Sequence, residues 1–420
     1  MTYTWQVAVT GMGIVSPIGV GVKEFARRMF SGDSGVVNIR GGPMPQDFPI
    51  PMAGLVAEAA LRQPVILRDL DAAQVPKLWR FAALATEEAV RSLPAGARVD
   101  GVIYATKEDD HFELIQESFR SLSGDQLTND ETRAEASLEI IRRILDAHGC
   151  GPVAASDLIS INNHCVSSNQ AIGIAFERVR SGRWRRAVVG GVEAACSASD
   201  LMNFHLLHAL STLEGPAASC PFTSKRAGFV RAEGAATLVL ENGEDAEARG
   251  ATIYGYITGY GASSDAFRLT DGRSDGRGAI RAMQRAILDA GQTPDAVSAV
   301  SAHGTSTPLN DRLETMAIKQ VFGSRAYQVP TVSLKSQIGH TLVAAGAIEA
   351  VACLLMLSEQ KLAPTINCSD PDPDCDLDYV RNTARPAPLK TILSNNFGFG
   401  GQNACVLFER GATKSASLKN

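Results

Sequence analysis

Residues 7–13, VAVTGMG, form an apolar strand pattern that ends in a glycine turn. They open an alternation of strand-like and helix-like segments that runs through the chain twice. Short apolar runs mark strands, and apolar residues three and four apart mark helices. In the first half, strands are predicted at 7–13, 102–105, 158–161, 187–190 and 235–241. Helices are predicted at 22–30, 75–93, 137–147 and 169–180. In the second half, strands at 252–261, 297–302, 331–334, 391–393 and 404–408 alternate with helices at 278–290, 312–322 and 346–359. Such alternation predicts α/β layers. Each half ends in a strand, a glycine cluster (Gly190-Gly191; Gly398 to Gly401) and another apolar segment, which suggests internal duplication. The charged, turn-like run 242–250 is the expected junction. The expected division is thus 1–250 and 251–412, with a polar tail at 413–420.

With 420 residues, 45% of them apolar, the chain can bury a large core, and disorder as its main state is excluded. A formal net charge of -5 argues against a nucleic-acid binder but allows a local basic patch for an acidic partner. The eight cysteines include no C-x-x-C and no zinc-finger spacing, so reduced thiols in the cytoplasm and no metal are expected. The first six residues lack a basic segment followed by an apolar stretch, so no secretory leader is expected. The apolar stretch 344–357 is interrupted by Glu349 and reads as a buried helix, too short to cross a bilayer.

Four segments can carry chemistry. In INNHCVSS, Cys165 follows a strand and precedes a helix. Free N–H groups and the dipole at a helix N-terminus favour a thiolate there, although a buried structural cysteine fits the same pattern. In SAHGTSTP, His303 leaves a strand into a turn of small residues, where α/β proteins place reactive groups; a structural histidine is the alternative. In SLKSQIGH, Lys335 and His340 can face one cleft if the lysine ends a strand and the histidine opens a helix. A solvated lysine is the alternative. In NFGFGGQN, alternating Phe and Gly can bring backbone N–H groups close to a ligand, or form only a hairpin loop.

Taken together, in this order and spacing, these segments resemble the β-ketoacyl-acyl-carrier-protein synthases, the elongating ketosynthases of fatty-acid and type II polyketide synthesis. The resemblance runs from VTGMGIVSPIG at residue 9 to Phe408, and AHGTSTPLND and NNFGFGGQN are its most specific runs. It implies the thiolase-like fold: two pseudo-symmetric α/β halves layered α-β-α-β-α. It implies Cys165 as acyl-accepting nucleophile, His303 and His340 as the paired histidines of decarboxylation and condensation, and Lys335 as their support. The backbone N–H groups of Cys165 and Phe399 would form the oxyanion hole. Phe397, Gly398, Phe399, Gly400 and Gly401 would make the gating turn, and Thr305 and Thr307 would contact the pantetheine arm. Lys77 and Arg80 would help dock an acyl carrier protein. The implied reaction is decarboxylative Claisen condensation of malonyl-carrier with a Cys-bound acyl chain. It needs no cofactor beyond the carrier's phosphopantetheine. The implied assembly is a homodimer, or a heterodimer with a related subunit.

Several residues depart from the family pattern. His164 stands where a small residue is usual, and is expected to face away from the thiol. Thr223 replaces an acid, so an ion pair to Arg226 is expected to be missing. Gln402 replaces a threonine, and Val343 replaces a glycine and is expected to narrow the pocket. The charged run 107–111, KEDDH, replaces a glycine-rich segment near the acyl pocket and subunit contact. It is either a solvated loop insertion or an adapted pocket or partner interface. These departures point toward type II polyketide or unusual fatty-acyl synthesis, with housekeeping fatty-acid elongation as the alternative. A non-catalytic chain-length partner would lack the cysteine. A thiolase would carry C-x-G near the C-terminus, whereas Cys405 is followed by Val406-Leu407. Gly11-Met12-Gly13 fails as a dinucleotide fingerprint, and 370–381 lacks the Gly and Glu of a calcium loop.

Overall fold

The computed structural model describes residues 6–67, 76–107, 136–268, 270 and 272–411. Ten principal strands build the fold. In the first half they are β1 (Val7–Ser16), β2 (Gly101–Thr106), β3 (Leu158–Ile161), β4 (Arg186–Glu193) and β5 (Gly234–Asn242). In the second they are β6 (Gly255–Ser264), β7 (Ala299–Ser301), β8 (Thr331–Val332), β9 (Thr391–Gly398) and β10 (Gln402–Glu409).

Strand order shows the duplication directly. The first half runs β1-β5-β4-β2-β3 and the second runs β6-β10-β9-β7-β8, the same order strand for strand. Pairing sense also repeats. The first strand of each half pairs antiparallel with the fifth, the fifth antiparallel with the fourth, and the remaining two pairings are parallel. The halves join where Val7, Ala8 and Val9 pair antiparallel with Ile257, Tyr256 and Gly255.

Helices complete five layers. Outside the first half, α1 (Lys77–Val90) packs on β1 and β5, and α2 (Ala136–Ala147) packs on α1. In the middle, α3 (Ser167–Arg180) touches strands of both halves. Outside the second half, α4 (Arg277–Asp289) packs on β6 and β10, and α5 (Pro308–Phe322) packs on α4. The second middle helix, α6 (Ala345–Glu359), also touches strands of both halves and is buried at every position from Ala345 to Leu357. Strands flanked by helices on both faces are buried on both sides. That explains why β1 is buried throughout and reads as a near-continuous apolar run. A Cβ at Gly346 would lie 2.5 Å from the side-chain oxygens of Asn169 and Asn396, so α6 packs tightly at that point.

The structure differs from the sequence reading in several places. The stretch 342–359 is long and apolar enough to pass for a membrane span, longer than the 344–357 read from sequence, but 89% of it is buried in the core. The segment after β4, where no helix was predicted, contains one at Ala198–Leu206, whose cap Ser197 accepts a hydrogen bond from the Asp200 amide. The charged junction holds a short helix, Gly243–Ala248, capped by Asn242. Thr307 caps α5, which therefore starts at Pro308 inside the expected turn. β4 runs on to Glu193, so Gly191 lies within the strand rather than after it.

Candidate functional site

Cys165, His303 and His340 are far apart in sequence but converge. Their donor atoms all lie within 4.8 Å of one another, and all three residues are buried. Cys165 sits four residues past β3 in a 3-10 turn, His164–Val166, that leads into α3. His164 takes a positive φ of 52° to make this turn. It is exposed and stands outside the Cys-His-His cluster. His303 follows β7 with Ala302 between them. Its amide and that of Gly304 donate to the two carboxylate oxygens of Glu314, at 2.9 and 2.8 Å, which pins the turn to α5. His340 comes after a short helix, Lys335–Ile338. Lys335 therefore opens that helix rather than ending a strand.

The hydrogen bonds assign the imidazole tautomers. The Leu342 amide donates to Nδ1 of His340 at 3.3 Å, so Nε2 carries the ring proton; Nε2 lies 3.1 Å from Sγ of Cys165. Asn396 Nδ2 donates to Glu349 at 2.7 Å and lies 3.3 Å from Nδ1 of His303. That again leaves the proton on Nε2. Burial, reinforced by the Lys335 charge, holds both histidines well below their usual pKa, so both are neutral donors near pH 7. The Lys335 ammonium forms a fully buried ion pair with Glu349. Burial pushes the Cys165 thiol up to about 11, opposed by the Lys335 charge and by hydrogen bonds from the backbone N–H groups of Phe399 and Cys165 itself. Cys-His-His also meets the donor requirements of a transition metal, but the Lys335 ammonium, which acts on all three groups, opposes a bound cation.

A cavity of about 310 Å³ leads to this cluster. Thr305, Thr307, Phe397, Gly398, Phe399 and Gly401 line it with the three cluster residues. The Thr305 and Thr307 hydroxyls are 3.0 Å apart. The glycine-rich run is the tight hairpin between β9 and β10, with Gly400 and Gly401 at φ of 78° and 72°. It places Gly398 beside the Cys165 amide. Chemically, a thiol under two N–H donors can form and break thioesters, and two neutral imidazole N–H groups can hold an enolate oxygen.

Other expectations fare unevenly. Arg226 does not lack an acid: Asp372 pairs with it at 2.6 Å, so the 370–374 turn supplies the partner that Thr223 does not. Val343 is buried and is not among the cavity-lining residues; its carbonyl instead accepts a hydrogen bond from Ser168. Lys77 is 3.0 Å from buried Glu233, and Arg80 is 3.1 Å from Glu58, so both charges are engaged within the chain. Of the run 107–111, only Lys107 is described, and 108–111 lie outside the described residues. Sequence reasoning missed Glu349, Glu314 and Asn396 as supports. Glu349 did leave a signal, the one carboxylate in the apolar stretch 344–357.

Comparison with known proteins agrees with this geometry. Residues 157–246 match the Beta-ketoacyl synthase, N-terminal domain, and 254–369 match the Beta-ketoacyl synthase, C-terminal domain. The chain is 36% identical to a 3-oxoacyl-[acyl-carrier-protein] synthase 2 of Synechocystis sp., across 96% of this chain and 98% of that one. It is 34% identical to the Staphylococcus aureus protein of the same name, across 98% and 99%. Among solved structures, it is similar to a type II polyketide ketosynthase in complex with its acyl-carrier protein (TM-score 0.84, 34% identity, 97% and 100% coverage). It is also similar to the ishigamide ketosynthase/chain length factor (TM-score 0.84, 29% identity, 97% and 100% coverage).

Proposed function

The chain belongs to the β-ketoacyl synthase family, and on that premise we propose that it condenses malonyl-carrier with an acyl chain held on Cys165. The carrying observation is the Cys165 sulfur itself, 3.1 Å from the His340 Nε2 and hydrogen-bonded by the Phe399 and Cys165 amides. In the first half-reaction the Cys165 thiolate attacks the carrier thioester. The tetrahedral oxyanion rests on those two amides, and the carrier thiolate leaves. In the second, malonyl-carrier loses CO2. The electron pair released becomes an enolate, whose oxygen accepts from His303 and His340 Nε2–H. The enolate carbon attacks the Cys165 thioester, and the Cys165 thiolate departs from the lengthened chain.

The buried Lys335–Glu349 pair and Asn396 orient the histidines. Thr305 and Thr307, lining the cavity, bind the pantetheine arm, and Phe397 and Phe399 gate it. Substrates arrive on phosphopantetheine, with no further cofactor and no metal. We place the two halves at 1–250 and 251–412, a division supported by the interval from 246 to 254 between the matched family segments. The partners are an acyl carrier protein and a second ketosynthase subunit, identical or related. The free cysteines support a cytoplasmic setting. We assign the reaction to type II polyketide or unusual fatty-acyl synthesis. The curated relatives' names favour housekeeping elongation as a second reading. Incubating the protein with a panel of acyl-carriers and identifying the acyl group on Cys165 by mass spectrometry separates the two. Exclusive capture of plain saturated acyl groups supports the housekeeping reading.

A further inference from the structure

The cavity over Cys165 has a buried floor and an open mouth. At the floor, Cys165, His303 and His340 are buried. From His303 the chain runs outward along the wall: Thr305 is buried, Thr307 half-buried and Pro308 exposed, and all three line the cavity. Leu207 and His208, both exposed, also line it, as does the half-buried Arg273. An arm whose thioester meets Cys165 at the floor therefore has its other end, which carries a phosphate, at this mouth.

Arg273 is the one arginine or lysine that lines the cavity. Two carboxylates line it as well, but both oxygens of each are already hydrogen-bonded. Asp265 accepts from the Asn403 side chain at 3.1 Å and from the Arg273 amide at 3.2 Å. Glu314 accepts from the His303 and Gly304 amides. The Arg273 guanidinium is oriented but not used up. Its Nε and Nη2 donate to Asp275 at 3.2 and 3.1 Å, and the group lies 5.4 Å from the Phe267 ring. Nη1 makes no hydrogen bond among the described residues, and the side chain is 29% exposed. Asp275 also accepts from Arg277 at 2.9 Å, so one carboxylate is shared between two guanidinium groups. A guanidinium held in place with an open N–H edge suits phosphate, whose oxygens accept from its planar fork.

Resting on the condensation reading above, we propose that Arg273 binds the phosphate that joins the pantetheine arm to its carrier. It thereby makes the site prefer a phosphorylated arm to bare pantetheine.

The test compares acylation of the intact protein by hexanoyl-pantetheine and hexanoyl-4′-phosphopantetheine, read by mass spectrometry as initial rates at low salt. The phosphorylated donor should acylate Cys165 about tenfold faster, and the advantage should shrink as salt is added. Arg273→Met should bring the ratio to about one, and Arg273→Lys, which keeps the charge without the fork, should leave it between the two. Arg281→Met is the control. Arg281 is exposed on α4, does not line the cavity and has no acidic partner among the described residues, so its loss should leave the ratio unchanged. Equal wild-type rates for the two donors overturn the proposal. So does a ratio that survives in Arg273→Met, or one that falls equally in Arg281→Met, which would mean a diffuse field rather than a contact. Hexanoyl-coenzyme A and hexanoyl-carrier both bear the same phosphate, and Arg273→Met should slow both. Slowing of the coenzyme A donor alone overturns the assignment to a carrier-borne arm. Absence of acyl mass from every donor overturns the condensation reading itself.

Discussion

His340 Nε2 lies 3.1 Å from Cys165 Sγ, with the histidine's other nitrogen already occupied by the Leu342 amide. The imidazole therefore presents a proton to the sulfur and has no free lone pair with which to deprotonate it. His340 is placed as a hydrogen-bond donor, and thiolate formation depends on the Lys335 charge and the two backbone N–H groups.

Cys165→Ala should abolish covalent acylation, whereas Cys196→Ala and Cys405→Ala should leave it. Intact-protein mass after incubation with an acyl-carrier measures this. An acyl adduct on the Cys165 variant would disprove its role as nucleophile.

The two histidines should separate the half-reactions. Replacing His303 or His340 by Ala removes one enolate donor and should slow release of CO2 from malonyl-carrier by about 10²–10³-fold. Self-acylation should suffer less. Equal loss in both assays, with the fold intact by circular dichroism, would contradict these roles.

The Lys335–Glu349 pair is buried on both sides. Lys335→Met or Glu349→Gln alone leaves an uncompensated group and should cost about 3–5 kcal/mol of stability. The double variant should cost less than the sum of the two. Urea unfolding of the four proteins tests this, and strict additivity would show that the two groups do not act as a pair.

Burial dominates the thiol's titration, raising it from 9.0 to about 11. An acid whose pKa is raised stays neutral until higher pH. Between roughly pH 7 and 10 the thiolate fraction, and with it alkylation by iodoacetamide, should rise about tenfold per pH unit. A plateau by pH 8 would mean that the charge of Lys335 and the N–H donors outweigh burial. Lys335→Met should shift the curve further to higher pH.

Much of the fold was legible because it rests on local pattern. Buried strands and core helices leave apolar runs and helical spacing in the sequence, and ten of these became the strands of two matching half-sheets. Helices whose start depends on a cap, such as Ala198–Leu206, were less visible, because Ser, Asp and small residues read equally well as loop. Cys165 and His303 could be named as candidates because they lie just past strand ends, and the 397–401 turn because its glycine-rich motif stands out, whereas Lys335 and His340 flank a short helix that the sequence reading did not place. The sequence could not supply the distances between them. Cys165, His303 and His340 meet only because duplicated halves, joined through β1 and β6, bring the ends of β3 and β7 to one cavity. The partners of Arg226, His303 and Arg231 lie up to about 150 residues away and follow no periodicity. Long-range pairing of charges in a low-dielectric interior is set by packing, so the tertiary structure alone decided which acid meets which base.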